Sequence, residues 1–269
     1  MDGPLVMGVE TTVDAFHRGG FYLVQPAEGA HRSGVDATVL AAAVPDGFAG
    51  MLADLGAGAG AAAFSVLDRC PQARAVLYET SPLMAACARA GLALDGNGHL
   101  KDRATVVEAD VALDGRAREE AGLPRDHFDW VIANPPFNDP KDRATPKAEK
   151  AGAHVMQADL FARWIKTACA IARPGGGLSV IARPKSVVEI LEAMRGRYGA
   201  IVVLPVHPRP GKSAIRIVVT GIKGSRKQME FASPLFLHDE DGGTKFSARA
   251  HAITNGRATL ERFDGCGEA

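Results

Sequence analysis

An α/β protein, with a mostly parallel sheet and helices on both faces, is predicted by three features of this sequence. Short apolar runs at Met51–Leu55, 75–78, Ala104–Glu108, Phe128–Ala133 and 178–182 alternate with stretches of helical spacing, the pattern of strands joined by helical crossovers. Residues able to do chemistry gather at the C-terminal ends of these runs, where open parallel sheets bind ligands. Two later runs, 201–206 and 214–219, follow each other across a Pro-rich loop with no helix between them, so they read as an antiparallel C-terminal hairpin.

The elements follow in order. Residues 21–25 read as a strand of a small hairpin and 35–44 as a helix. Met51–Leu55 then runs into Asp54-Leu55-Gly56-Ala57-Gly58-Ala59-Gly60 and an Ala-rich helix carrying Phe64, Val66 and Leu67. Glycines at alternate positions (Gly56, Gly58, Gly60) allow a tight turn and close approach of backbone to a ligand. The spacing is not G-x-G-x-x-G, which disfavours a dinucleotide pyrophosphate. The next strand ends at Glu79, about one βα unit on, where a carboxylate can accept both hydroxyls of a ribose. Ala104–Glu108 ends near Asp110, placed to accept from the amino group of an adenine. Taken singly, each acid is an ordinary strand-end charge. The ordered set of Asp54, the glycine turn, Glu79 and Asp110 points to S-adenosylmethionine.

Phe128–Ala133 closes on Asn134-Pro135-Pro136-Phe137. An exocyclic amine such as that of adenine is a poor nucleophile because its lone pair is delocalised. Acceptors that hold both N–H groups turn the lone pair outward. The Asn134 side-chain oxygen and the Pro135 carbonyl are such acceptors, neither proline presents a competing N–H, and Phe137 can stack on the base. A proline-rich turn is the bland alternative. Beyond it, 138–154 reads as a mobile loop, residues 160–168 and 187–194 as helices, and 231–237 as an extra strand before an irregular tail.

Composition sets limits. The chain has 269 residues, which suit one large domain, and its 31 Lys and Arg balance 31 Asp and Glu, so nucleic-acid affinity must come from uneven distribution of charge. That distribution is uneven: 205–228 holds no acid but contains Arg209, Lys212, Arg216, Lys223, Arg226 and Lys227. Arg209 and Lys212, in the hairpin loop, are candidates for phosphate contact; a solvated basic hairpin is the other reading. Cys70, Cys87, Cys169 and Cys266 lack Cys-x-x-Cys spacing and read as reduced thiols with no metal site. No run has the length of a membrane span and no signal-peptide pattern opens the chain, so a cytoplasmic protein is expected.

These residues together resemble the class I S-adenosylmethionine-dependent methyltransferases: Asp54 to Gly60, Glu79, Asp110 and Asn134 to Phe137 stand in that family's order. Flanking segments narrow the resemblance. Leu23-Val24-Gln25-Pro26 with His31-Arg32-Ser33-Gly34-Val35-Asp36-Ala37, Leu204-Pro205-Val206-His207-Pro208-Arg209-Pro210-Gly211 and Gly224-Ser225-Arg226-Lys227 are similar to the bacterial adenine-N6 methyltransferases that modify valine tRNA next to its anticodon. The sequence departs from the pattern at Thr80-Ser81, where an apolar residue and an acid are common, and at Phe137, which is Tyr in some members. The resemblance implies a Rossmann-like fold with a seven-stranded sheet. It further implies a cap at 1–48 over the cofactor, a methyltransferase domain at 49–228 and a C-terminal extension at 229–269. In that arrangement Gln25 and Asp36, with His31 and Arg32, lie near the methionine moiety and Pro136 meets the substrate. The implied substrate is tRNA. An N5-glutamine methyltransferase of a translation protein remains an alternative, although about 50 residues before the core leave little room for a helical substrate domain. A catalytically silent RNA-binding relative is a third reading. The sequence leaves the oligomeric state open.

Overall fold

The computed structural model describes residues 3–28, 33–136, 149–240 and 243–260, with the backbone alone for 149–159. The chain opens with a hairpin, β1 (Thr11–Phe16) antiparallel to β2 (Phe21–Pro26). Phe21, Leu23 and Val24 of β2 are buried in the core, so the hairpin is held by its second strand. Polar ties fix its position. The Tyr22 N–H donates to Asn97 Oδ1 at 2.8 Å and Asn97 Nδ2 returns a bond to the Tyr22 carbonyl at 2.6 Å. At the hairpin turn, His17 Nδ1 lies 2.7 Å from Asp68 Oδ2.

After α1 (Val35–Ala41), β3 (Met51–Leu55) passes through the glycine turn into α2 (Ala61–Arg69). The alanines of α2 bring the helix close to the sheet while Phe64 and Leu67 are fully buried, each contributing roughly 1.5–3 kcal/mol of hydrophobic stabilisation. Next come β4 (Arg74–Glu79), α3 (Pro82–Leu92), α4 (Gly98–Lys101), β5 (Ala104–Glu108), α5 (Gly115–Glu120) and β6 (Phe128–Ala133). The long α6 (Glu149–Ile171) leads directly to β7 (Ala172–Ala182), followed by α7 (Val187–Met194) and the antiparallel β8 (Tyr198–His207) and β9 (Arg216–Lys223). Two short strands, β10 (Glu230–Phe231) and β11 (Leu235–Phe236), and α8 (Ala248–Thr254) complete the described chain.

The main sheet has the order β10-β8-β9-β7-β6-β3-β4-β5, with β11 also on β8. From β5 to β7 the strands are parallel; β9 runs antiparallel between β7 and β8. The chain moves from β3 outward through β4 to β5 and then returns to β6 on the other flank. The strand order therefore reverses between β3 and β6, a switch point that opens a crevice at their C-terminal ends.

Several expectations are corrected. Among the described residues the sheet has nine strands rather than seven, because β10 and β11 pair in parallel with β8. The single run expected at 231–237 is divided into these two pieces, and Pro234, which has no N–H to give a ladder, lies between them. The loop expected at 138–154 is part helix: 149–154 belongs to α6, and 138–148 lies outside the described residues. Strand β7 starts at Ala172, six residues earlier than the apolar run, with a register shift opposite 128–130. Gly177 is required there because a Cβ would sit 2.3 Å from the Trp130 ring. Helix α3 escaped the periodicity reading although its start was written in sequence, with Ser81 as N-cap and Pro82 in the first turn.

Candidate active site

The register of the sheet brings the sequence-predicted residues to one edge. Leu55 is paired with Ala133 on one side and Tyr78 on the other, so Gly56 emerges between Asn134 and Glu79. Glu79 is in turn paired with Glu108, and the Ala109 N–H donates to the Glu79 carbonyl at 3.1 Å, which puts Asp110 on the same rim.

The glycine turn is built as the sequence requires. Gly56, Gly58 and Gly60 have φ of +68°, +58° and +94°, a region that side chains with a Cβ avoid. The N–H groups of Gly56 and Ala57 both donate to the Tyr78 carbonyl, at 2.8 and 3.0 Å, folding the turn back on β4. Glu79 holds it from the other side: Oε2 accepts from the Gly58 N–H and Oε1 from the Ser81 N–H, both at 2.8 Å. This carboxylate thus fixes two backbone segments and keeps lone pairs for a ligand. Among the described residues the space above Gly58 is open, with only Met84 Cε within 4 Å of where a Cβ would be.

Asp54 is 2% exposed, and its Oδ2 accepts from the Ala63 N–H at 3.1 Å, joining the end of β3 to the first turn of α2. Burial pushes its carboxyl up to about 7; the Ala63 hydrogen bond opposes the shift and the nearby Glu79 charge adds to it. The sign for stability follows. The folded chain holds this proton more tightly than the unfolded one, so the contribution of Asp54 to stability is lost as pH rises from about 4 to about 7. Asp54→Asn is expected to flatten that part of the pH–stability curve of the ligand-free protein by an amount on the order of a few kcal/mol. Urea denaturation of both forms between these limits checks it, and an unchanged slope would refute the role assigned to this carboxyl.

At the end of β6, Asn134 is half-buried and its Oδ1 is buried with no hydrogen-bond partner among the described residues. Leaving such an acceptor unmet costs about 1–3 kcal/mol. Pro135 is buried, Pro136 is exposed, and Phe137 lies outside the described residues, as do His31 and Arg32. Trp164 was missed as a site residue. It reads as a core position of α6, yet its ring lies against the glycine turn: a Cβ on Gly56 would be 2.5 Å from Trp164 Cη2. Helical spacing carries no mark that separates such a wall residue from core.

Other candidates have specific structural partners. Gln25 is buried, donating from Nε2 to Asp14 Oδ2 and accepting at Oε1 from the Ser33 N–H, both at 2.7 Å, so its amide joins β1 to the approach to α1. Asp36 pairs with Arg216 Nε at 2.7 Å, tying α1 to β9. Asp110 is exposed and accepts from the Ala112 N–H at 2.8 Å. Arg209 donates to the Asp239 carbonyl at 2.7 Å and to the Gly243 carbonyl, pinning the C-terminal segment to the hairpin loop. Lys212 is exposed at the same rim, and its carbonyl accepts from His207 Nδ1. The basic stretch is not one surface, because β9 separates its halves. Arg216 starts that strand and Lys223 ends it at the opposite edge, with Arg226 and Lys227 just beyond.

Residues 32–204 match the family model described as the methyltransferase small domain. The chain belongs to that family. A predicted O-methyltransferase of Agrobacterium tumefaciens has a crystal structure that is 44% identical, with a TM-score of 0.72 over 83% of this chain and 97% of that one. A TYW2 protein of Pyrococcus horikoshii in complex with MeSAdo, 12% identical over 80% of this chain and 72% of that one with a TM-score of 0.51, shares the fold. Two Porphyromonas gingivalis proteins named tRNA1(Val) (adenine(37)-N6)-methyltransferase are 35% identical over 112 residues, 40% of this chain. The match spans 42% of their length, less than half. As a methyltransferase small domain protein the chain takes S-adenosylmethionine as its cofactor. The rim fits this group through its open glycine cradle and the remaining lone pairs of Glu79. Among the described residues no cluster of His, Cys, Asp or Glu is placed to hold a metal ion, and no helix is long and apolar enough to cross a membrane.

Proposed function

We propose that this methyltransferase modifies the exocyclic N6 amine of an unpaired or flipped adenine in RNA, most specifically a tRNA adenine near the anticodon. The carrying observation is the buried Asn134 Oδ1, which has no partner among the described residues and lies at the switch point beside the glycine turn. In this reading Gly56, Gly58, Gly60, Glu79, Asp54 and Asp110 hold the cofactor, with Gln25 and Asp36 setting the cap over it. S-adenosylmethionine, when bound, supplies an activated cationic methyl group.

The protein's part is positioning. Asn134 Oδ1 and the Pro135 carbonyl accept the two amine hydrogens, aim the nitrogen lone pair and stabilise the positive charge that develops on nitrogen. The proton on the methylated nitrogen is strongly acidic and leaves to water, so no shifted general base is needed. A base in a duplex hides this amine; an anticodon-loop base does not, and Phe137 replaces its stacking partners. The names of the Porphyromonas gingivalis relatives support this substrate. The Agrobacterium tumefaciens relative, a predicted O-methyltransferase, raises a hydroxyl acceptor instead. A hydroxyl has one hydrogen to give, whereas an Asn-Pro-Pro site offers two acceptors, which suits an NH₂ group.

The test is nucleoside mass spectrometry after incubating unmodified total tRNA with the protein and isotopically labelled S-adenosylmethionine. Labelled N6-methyladenosine at one loop position is the expected result. Ribose-methylated nucleosides would transfer the assignment to a hydroxyl acceptor, and label in a protein glutamine to the amide reading. Lys212 supplies a separate prediction. Lys212→Glu should weaken RNA binding several-fold and flatten its salt dependence by about one to two phosphate contacts, with cofactor affinity unchanged. Filter binding across a salt series checks this, and an unaltered slope returns the hairpin loop to an ordinary solvated surface.

A further inference from the structure

The edge of the sheet opposite the glycine turn carries a second concave feature, a cleft of about 480 Å³ lined by Asp114, Arg118, Arg125, Asp126, Lys166, Cys169, Arg197 and Lys223, among others. Its wall comes from the entries to β6, β7 and β8 and the exit of β9, which places it a full strand length from Asn134. Five cationic side chains face two carboxylates there. Lys166 pairs with Asp114 at 2.7 Å and Lys223 with Asp126 at 2.6 Å, while Arg118 and Arg125 act on these acids only at longer range. Three arginines remain. Arg118, 4% exposed, bonds the Leu123 carbonyl and Glu119 Oε1; Arg125 Nε is 3.8 Å from the same Glu119 oxygen; Arg197 donates to the Ala193 carbonyl. Two of these guanidinium groups share the Glu119 carboxylate and the third bonds a backbone carbonyl, so all three retain further N–H donors.

A buried group lies behind this wall. Tyr198, next in chain to Arg197, has a buried hydroxyl with no hydrogen-bond partner among the described residues. Burial pushes its phenol well above the ordinary value, and the groups acting on it are Cys169 and Arg197, both in the cleft wall. Exposed Arg226 and Lys227 follow β9 at the same edge.

We propose that this cleft is a second ligand site that binds a small phosphorylated anion of up to mononucleotide size. Its volume lies within the roughly 300–1,000 Å³ of small-ligand pockets. Planar guanidinium forks converging on one cavity match the oxygens of a compact phosphate, whereas a nucleic-acid track would spread its cations along a surface. The anion would relieve repulsion among the arginines and receive their remaining N–H donors.

Cys169 provides a local probe, since it lines the cleft and is half-buried while Cys70 and Cys87 are buried. The rate of its alkylation by iodoacetamide is read by peptide mass spectrometry on the full chain at mildly alkaline pH. Saturating S-adenosylmethionine keeps anions from the glycine turn. Inorganic pyrophosphate at ten times its dissociation constant is expected to slow the reaction about tenfold, and chloride at equal ionic strength is not. Arg125→Glu should abolish this protection, and Arg197→Ala should weaken it. Among the described residues Arg125 makes a long ion pair with Glu119 and acts at a distance on Asp126, so its variant keeps the test sound if the Arg197 variant loses stability. Absence of protection, equal protection by chloride, protection that survives Arg125→Glu, or protection by an RNA oligonucleotide but not by pyrophosphate would each overturn the proposal. Methyl transfer is not read in this assay, so its failure stays distinct from failure of the adenine reading.

Discussion

Asn134→Ala is expected to lower the rate of methyl transfer about 10²–10³-fold, the scale for removing one preorganised group that meets charge developing in a transition state. S-adenosylmethionine affinity should stay nearly unchanged. The reason is geometric: Asn134 Oδ1 is a buried acceptor with no partner among the described residues, so deleting this oxygen breaks none of the bonds described for the fold. Removing it could even raise stability slightly, because an unmet buried acceptor is itself a cost. Asn134→Asp separates shape from charge. It keeps an oxygen in place but adds a charge to a half-buried position, which should impair transfer less than alanine only at a pH where that carboxyl is ionised. The decisive comparison is single-turnover rate against calorimetric cofactor affinity. Parallel loss of both would mean that Asn134 supports the cofactor pocket and that the amine is held elsewhere.

The unmet oxygen was legible in the sequence because two local signals coincide, an apolar strand that ends and a pair of prolines that keep backbone N–H groups away from the next two positions. The glycine turn was legible for a similar reason: positive φ at alternate residues selects glycine wherever it occurs, and Gly56, Gly58 and Gly60 all adopt it. The parallel core followed from the alternation of strand and helix signals, whereas its strand order was given only by the pairing. What stayed hidden depends on residues distant in sequence. Trp164 borders the site only because α6 brings its ring against Gly56, and its spacing is that of any core residue. Arg216 and Lys223 look like neighbours in one basic run, but an eight-residue strand carries them to opposite edges, one to Asp36 and one to Asp126. Gln25 stands in a segment that resembles a cofactor cap, whereas the bonds of its amide to Asp14 and Ser33 could be found only from the paired hairpin.

Glu79→Ala is expected to weaken S-adenosylmethionine binding by about 10²-fold or more, a larger effect on affinity than loss of ribose contacts alone would give. Hydrogen bonds to charged groups contribute about 1.5–3 kcal/mol each, and in the ligand-free fold Glu79 already makes two, to Gly58 and Ser81. Alanine therefore releases the glycine turn from one side and loosens the start of α3, where the Ser81 hydroxyl accepts from the Met84 N–H. Part of the loss appears as stability and part as affinity, and the two are separable. Glu79→Gln retains one oxygen acceptor, so it should hold one of the two segments and fall between wild type and alanine in both measurements. It also removes a negative charge that pushes the Asp54 carboxyl upward, so the pH range over which Asp54 affects stability should move down in this variant. Calorimetric cofactor titration with urea denaturation across pH reads all three effects. Full cofactor affinity in Glu79→Ala would show that the turn is held by the Tyr78 carbonyl alone. An unmoved Asp54 range in Glu79→Gln would show that burial, without Glu79, sets that carboxyl's ionisation.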